Sequence, residues 1–194
     1  MALSLFFLFL IFYPIIRSEI KFILSSKEEN GEIVFRNILT KDDGQEVIVP
    51  ADENFSLIIP KIGANERIIA EVDPFNEEEY SLALKEGIAH AKGSVLPGQE
   101  GNVFLFAHSS GNFYDNSRLN TIFFLLNKLE TGDHFSVIFQ GKVYEYEVYD
   151  KKIVSAEEIE YMESKMGEKK ATLMTCWPPG TSYRRLLVLG KMIQ

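Results

Sequence analysis

The chain opens on an uncharged, mostly apolar stretch. Leu5 through Phe12 is wholly apolar, no charged side chain occurs from Met1 to Ile16, and the run closes at Pro14 and Arg17. About 16 uncharged residues approach the roughly 20 needed to cross a bilayer, and Ile20, Phe22, Ile23 and Leu24 extend the stretch if Arg17 and Lys21 snorkel to the interface. A small-residue cleavage site is absent, so a retained transmembrane signal-anchor is expected over residues 1–24. Its nearest positive charges, Arg17 and Lys21, follow the run instead of preceding it. The positive-inside rule therefore gives no support for export, which rests on the chemistry of the domain that follows.

Beyond the anchor the pattern changes to short apolar runs between turn residues. Ser25 to Gly31 is polar and reads as a juxtamembrane linker, and Gly31 to Asp52 alternates Ile33-Val34-Phe35 and Val47-Ile48-Val49 with the turn Lys41-Asp42-Asp43-Gly44, a strand pattern at the domain's edge. Phe55 to Ile62 is β-rich, with Pro60 restricting it to an edge or bulge. Glu77 to Gly87 has near-helical spacing and ends on a glycine suited to a cap. Ile88 to Ala91 reads as a surface turn. Val103 to His108 is apolar on both faces, as a buried strand is, and Thr121 to Leu129 returns to helical spacing.

Phe135 to Phe139 and Val143 to Tyr149 are strands joined through Gln140-Gly141. A short acidic helix is expected around Ala156 to Met166. Then Ala171 to Cys176 forms a strand stopped by Trp177-Pro178-Pro179-Gly180, and Arg185 to Leu189 the closing strand. Many short strands with only brief helices between them fit a closed or nearly closed barrel, since a βαβ fold needs a longer helix after most strands. At 194 residues the chain holds one such domain and an anchor, with residues 25–52 as linker and domain edge and 53–194 as the barrel.

Composition adds two exclusions. Apolar residues make up 46%, with 15 Phe and 8 Tyr, which suits a buried β-rich core. The formal charge of -8, without tightly clustered Lys or Arg, excludes a nucleic-acid partner. Acidic runs such as Asn76 to Glu79 and Glu157-Glu158 read as solvated helix starts, and no metal site or cofactor is expected.

The single cysteine, Cys176, cannot form an internal disulfide. By residue type a lone Cys is more often buried than reactive, but this one stands where a strand meets a Pro-Pro-Gly stop. A cysteine nucleophile needs an acid or base, an oxyanion donor and an open approach. His108 ends one strand and Arg185 begins another, so three strand ends can meet at one rim. His90 and His134 are the weaker candidates, since neither follows a buried strand.

Thr172-Leu173-Met174-Thr175-Cys176 resembles the signature of the sortase family, in which a Thr-Leu-x-Thr-Cys strand presents the nucleophile and an Arg returns on the next strand. Leu57 to Gly63 is similar to the family's early strand, Gly87 to His90 to its following turn, and Pro97 to His108 to its histidine segment. The resemblance covers about Phe55 to Met192, in the family's order. It implies an all-β dominated, eight-stranded closed barrel with short helices behind the membrane anchor, of a class outside the housekeeping type.

It also implies a cysteine transpeptidase. Cys176 would attack the Thr-Gly bond of a Leu-Pro-x-Thr-Gly-like sorting signal on a secreted surface protein and hold the acyl fragment as a thioester. His108 would serve as acid and base and Arg185 as oxyanion donor, with Arg184 the alternative. Thr175 would assist in binding substrate. The acceptor amine would come from a peptidoglycan precursor or a pilin lysine, and the domain would face outward from a single-pass anchor in the cell membrane. Two other readings stay open: a Cys-His wall peptidase, and a membrane-tethered surface-binding barrel with a structural Cys.

Overall fold

The structure is a computed structural model that describes residues 48–109, 123–162 and 167–194, the backbone of 26–29, 32–35, 39–42 and 45–47, and the single positions Tyr13 and Ile20. Apart from those two positions, the anchor expected over 1–24 lies outside the described residues. Among the described residues no helix is long and apolar enough to cross a membrane.

Two small antiparallel sheets come first: β1 (Ser26–Glu29) pairs with β2 (Glu32–Phe35), and β3 (Leu39–Asp42) with β4 (Gln45–Ile48). The polar stretch expected as a linker thus contains a strand, and of the turn expected over 41–44, Lys41 and Asp42 belong to β3 while 43 and 44 lie outside the described residues. Asn65 ties the barrel's approach down, its side-chain oxygen accepting from the Ala51 amide at 2.8 Å and its amide nitrogen donating to the Val49 carbonyl at 2.7 Å.

The barrel strands are β5 (Phe55–Ile59), β6 (Ala64–Val72), β7 (Ile88–Ala91), β8 (Gly101–Phe106), β9 (His134–Phe139), β10 (Lys142–Ser155), β11 (Lys169–Trp177) and β12 (Arg184–Met192). Among the described residues these eight close in the order β10-β12-β11-β8-β7-β6-β5-β9. Closure removes every free edge. The pairings β6 with β7 and β8 with β11 are parallel, and the rest antiparallel. Gln140 and Gly141 both have positive φ, +52° and +73°, which is the backbone twist a two-residue hairpin between β9 and β10 requires.

Helix α1 (Glu77–Glu86) carries the connection from β6 to β7. Asn76 caps it by accepting from the Glu79 amide at 3.3 Å, and Glu77, Glu78 and Glu79 occupy the first turn, where acidic charge suits the helix dipole. Gly87 follows in an extended conformation. A side chain there would meet the Arg67 carbonyl oxygen at 2.4 Å, so close approach to β6, not a left-handed cap, demands glycine.

Several expectations need correction. Ile88 to Ala91 is not a surface turn but a strand buried at all four positions; four residues buried on both faces show no alternation. Strand β6 went unread because Asn65-Glu66-Arg67 conceals its apolar half, Ile68 to Val72. Pro60 does not sit in an edge strand, because β5 lies between β6 and β9 and Pro60 starts the 3-10 turn Pro60–Ile62 that ends it. Of the helix expected over 121–129, the described part is a turn and a 3-10 segment, Leu126–Lys128, whose apolar neighbours Phe123, Phe124, Leu125 and Leu129 are all buried. Of the acidic helix expected over 156–166, the described part contains only the 3-10 turn Glu160–Met162.

The barrel interior is a single apolar core. Phe135 and Tyr146 stack within it at 5.2 Å and 8°, and a Cβ at Gly190 would come within 2.5 Å of the Phe135 ring and 3.1 Å of Tyr146. Gly190 therefore faces inward, and two-residue alternation fixes the facing of β12 and its partners. Replacing Gly190 with Ala is expected to destabilise the domain by about 1–3 kcal/mol through overpacking, read as a lowered denaturant midpoint at unchanged slope.

Candidate active site

The alternation set by Gly190 decides which side chains leave the barrel. Gly190 pairs with Ala171, so Ala171, Leu173 and Thr175 point inward with Leu186 and Val188. Thr172, Met174 and Cys176 then face outward, and so do their partners on β12, Leu189, Leu187 and Arg185. Cys176 and Arg185 are Cα partners on adjacent antiparallel strands and share one face. Arg184 pairs with Trp177, is exposed, and belongs to the opposite face.

The third residue arrives by the parallel ladder. Strand β8 runs beside β11 from the pair Gly101 and Lys169 to the pair Phe106 and Met174, and the Ala107 amide still donates to the Met174 carbonyl at 3.2 Å. Continued by two residues, this register sets His108 opposite Cys176. His108, Cys176 and Arg185 thus fall in one row at one end of the barrel, His108 just past the end of β8 and the other two paired on β11 and β12. Cys176 is a free, half-buried thiol, and the Trp177-Pro178 peptide after it is cis.

Electrostatics around the row are uneven. Burial alone holds the His108 imidazole below its ordinary value of 6.5, which favours the neutral form. Arg185 donates through one guanidinium nitrogen to the Ser182 carbonyl at 2.9 Å and the Arg184 carbonyl at 3.1 Å. Its positive field reaches two tyrosines. Tyr161 is raised first by burial, against which Arg185 acts, and Tyr80 is raised by burial, Glu77 and Cys176, again opposed by Arg185.

Thr175, expected to bind substrate, has its side chain on the barrel's inner side, nearly inaccessible, and its hydroxyl donates to the Ala107 carbonyl at 2.8 Å. That bond ties Thr175 to the residue before His108. Thr172 plays a matching part lower down. Its buried hydroxyl donates to the Asn102 side-chain oxygen at 2.9 Å, while the Asn102 amide donates to the Tyr161 carbonyl at 3.1 Å. Tyr161 stacks on Phe104 at 6.0 Å and 21°, so the connection from β10 to β11 is held over the outward face of β8. Neither Asn102 nor Tyr161 was singled out in the sequence. A polar residue directly after Gly101 at the start of an otherwise apolar strand was the available signal.

The other histidines lie elsewhere. His134 is exposed at the first position of β9, which is separated from β11 by β10 and β12. His90 is wholly buried on β7 with both ring nitrogens engaged. Nε2 meets the Ser94 hydroxyl at 2.8 Å and the Val95 carbonyl at 3.1 Å, and Nδ1 accepts from the Glu71 amide at 3.4 Å. Glu71 has a positive φ of +59° where β6 shifts register against β7, a bulge that turns its amide toward the ring. Among the described residues no group of His, Cys, Asp and Glu gathers as a metal centre would require.

Comparison with known proteins supplies a context for this row. The Sortase domain family model matches residues 57–193. Sortase D of Bacillus subtilis (strain 168) is 26% identical over 140 residues, which cover 71% of this chain and 62% of that protein, so the match spans less than two thirds of the curated relative. Among solved structures, sortase C-1 from Actinomyces oris superposes with a TM-score of 0.62 at 32% identity, covering 74% of this chain and 76% of that one. Sortase C1 of GBS Pilus Island 1 gives 0.62 at 28% identity over 72% of this chain and 64% of that one.

The buried histidines predict a pH response. Burial, the largest influence on His90, holds its pKa below 6.5 despite the Val95 carbonyl and Glu71 acting the other way. A folded-state pKa below the unfolded one means that the unfolded chain takes up the proton first, so stability is full above about 6.5 and declines as the pH falls. His108 shifts in the same direction. His90→Gln is expected to flatten the fall in melting temperature between pH 7 and 5 relative to wild type, whatever its effect at pH 7. An unchanged slope would mean that His90 contributes nothing to acid lability.

Proposed function

The chain belongs to the sortase family, and on that premise we propose that it is a cysteine transpeptidase that anchors or polymerises surface proteins. The observation that carries the reading is the pairing of Cys176 with Arg185 on adjacent strands, with His108 two residues past the last pair of β8 with β11. Relatives named sortase C and sortase D support a type other than the housekeeping one.

In this reading the neutral His108 accepts the Cys176 proton, and the thiolate sulfur attacks the carbonyl carbon of the Thr-Gly bond in a Leu-Pro-x-Thr-Gly-like signal. The developing oxyanion is met by the Arg185 guanidinium, whose planar fork supplies more donors than the one nitrogen engaged with Ser182 and Arg184. As the tetrahedral adduct collapses, the C–N bond breaks, His108 returns its proton to the leaving glycine amine, and a thioester remains on Cys176. An acceptor amine from a peptidoglycan precursor or a pilin lysine, deprotonated by His108, then attacks the thioester. The new amide forms and the thiol is restored. Water is the slow alternative nucleophile.

The segment over 1–24 serves in this reading as a single-pass membrane anchor, residues 25–52 as the linker and domain edge, and 53–194 as the catalytic barrel on the outer side of the cell membrane. Thr175 assists indirectly, through the carbonyl it holds next to His108.

Product analysis with a sorting peptide and an added amine tests the reading. A transpeptidase diverts product from acid to amide as the amine concentration rises, whereas a Cys-His wall peptidase yields acid at every concentration. Cys176→Ala is expected to abolish both products. Arg185→Lys keeps the charge but loses the fork, and the expected fall in rate is about 100-fold or more. Arg184→Lys should stay close to wild type; the reverse ranking would transfer the oxyanion role to Arg184.

A further inference from the structure

Helix α1 bears on the same face as the row. Its buried residues are Ala83 and Leu84, and Tyr80 lies three and four positions earlier on that stripe, one turn nearer the helix start. The Tyr80 ring packs edge-on against Phe106 at 6.5 Å and 79°. Phe106 is the Cα partner of Met174, one pleat before Cys176 on the outward face. The phenol is therefore set beside the row from the β7 side, as Tyr161 is set over Phe104 from the β10 side.

Two further facts bear on its chemistry. The charges of Cys176 and Arg185 act on the Tyr80 phenol in opposite senses, the first raising its pKa and the second lowering it. Burial is the largest influence on it and acts to keep the hydroxyl protonated, as a donor. Among the described residues no buried side-chain oxygen lacks a hydrogen-bond partner, so the Tyr80 hydroxyl, which makes no hydrogen bond there, is open to solvent. A half-buried phenol with an uncommitted O–H, held by its ring on an aromatic residue of β8, suits an extended peptide, which presents a carbonyl at each residue.

The geometry points to Tyr80 as a substrate-binding residue, its ring standing beside Cys176 and its hydroxyl donating to a main-chain carbonyl of the bound sorting peptide. This inference rests on the transpeptidase reading. Phe106 holds the ring whether or not substrate is present, so only the hydroxyl's contribution depends on the peptide. One hydrogen bond to a neutral carbonyl, made equally in the ground and transition states, changes binding but not turnover.

Steady-state kinetics of the full chain with peptides of the Leu-Pro-x-Thr-Gly and Leu-Ala-x-Thr-Gly series, comparing wild type with Tyr80→Phe, test it. Tyr80→Phe keeps the packing on Phe106 and removes the O–H alone. KM is expected to rise about five- to tenfold with kcat unchanged. Peptide affinity should fall by the same factor when Tyr80→Phe is added to Cys176→Ala, and alkylation of Cys176 by iodoacetamide should keep the wild-type rate. Unchanged KM and affinity would overturn the inference while leaving the transpeptidase reading intact. A fall in kcat with altered alkylation would also overturn it, since the phenol would then act on Cys176 or Arg185 instead of the peptide. A wild-type chain that cleaves no peptide of either series would remove the underlying reading and this inference with it.

Discussion

The parallel pairing of β8 with β11 is the constraint on which the rest depends. It joins segments far apart in sequence, and its register is held at both ends by the Gly101 amide on the Glu168 carbonyl at 2.7 Å and the Ala107 amide on the Met174 carbonyl at 3.2 Å. Two buried hydroxyls lock it from within, Thr172 on Asn102 and Thr175 on Ala107. A slip of one residue would turn Leu173 and Thr175 outward, expose apolar surface and leave those polar groups unpaired, so the core itself enforces the register. Because His108 is two residues past the last pair, the same register sets it opposite Cys176.

The chemistry inherits this arrangement at low cost in flexibility. The proposed nucleophile, Cys176, is on β11 and Arg185 on its antiparallel neighbour β12, while His108 stands two residues past the last pair of the parallel β8–β11 ladder, so ladders that also bury the core set the frame for all three. The two threonines of the Thr-Leu-Met-Thr-Cys run divide the work of alignment. One faces outward beneath Tyr161 and the other inward beneath Ala107. Around the row stand α1 with Tyr80, packed on Phe106, and Tyr161, stacked on Phe104.

Legibility in the sequence followed local pattern. Strands β8, β11 and β12 could be read because each is a strong apolar run ended by turn chemistry, and Cys176, His108 and Arg185 stood at their ends. Strands β6 and β7 were concealed, the first by polar residues over half its length and the second by its brevity and a histidine that looks exposed. The sequence left Arg184 and Arg185 open because adjacent residues on a strand differ only in which face they occupy; the inward-facing Gly190 removes that ambiguity geometrically. Pairings across dozens of residues, such as Thr172 with Asn102, have no local signature at all.

Mass measurement of the intact chain after brief exposure to a sorting peptide tests the central claim most directly, since it asks whether the row can form a covalent acyl intermediate. The account expects a gain equal to the peptide's amino-terminal fragment less one water, mapped by digestion to Cys176 and absent from Cys176→Ala. A reactive thiol that gains no fragment from any peptide, or an adduct mapped to another residue, would contradict it.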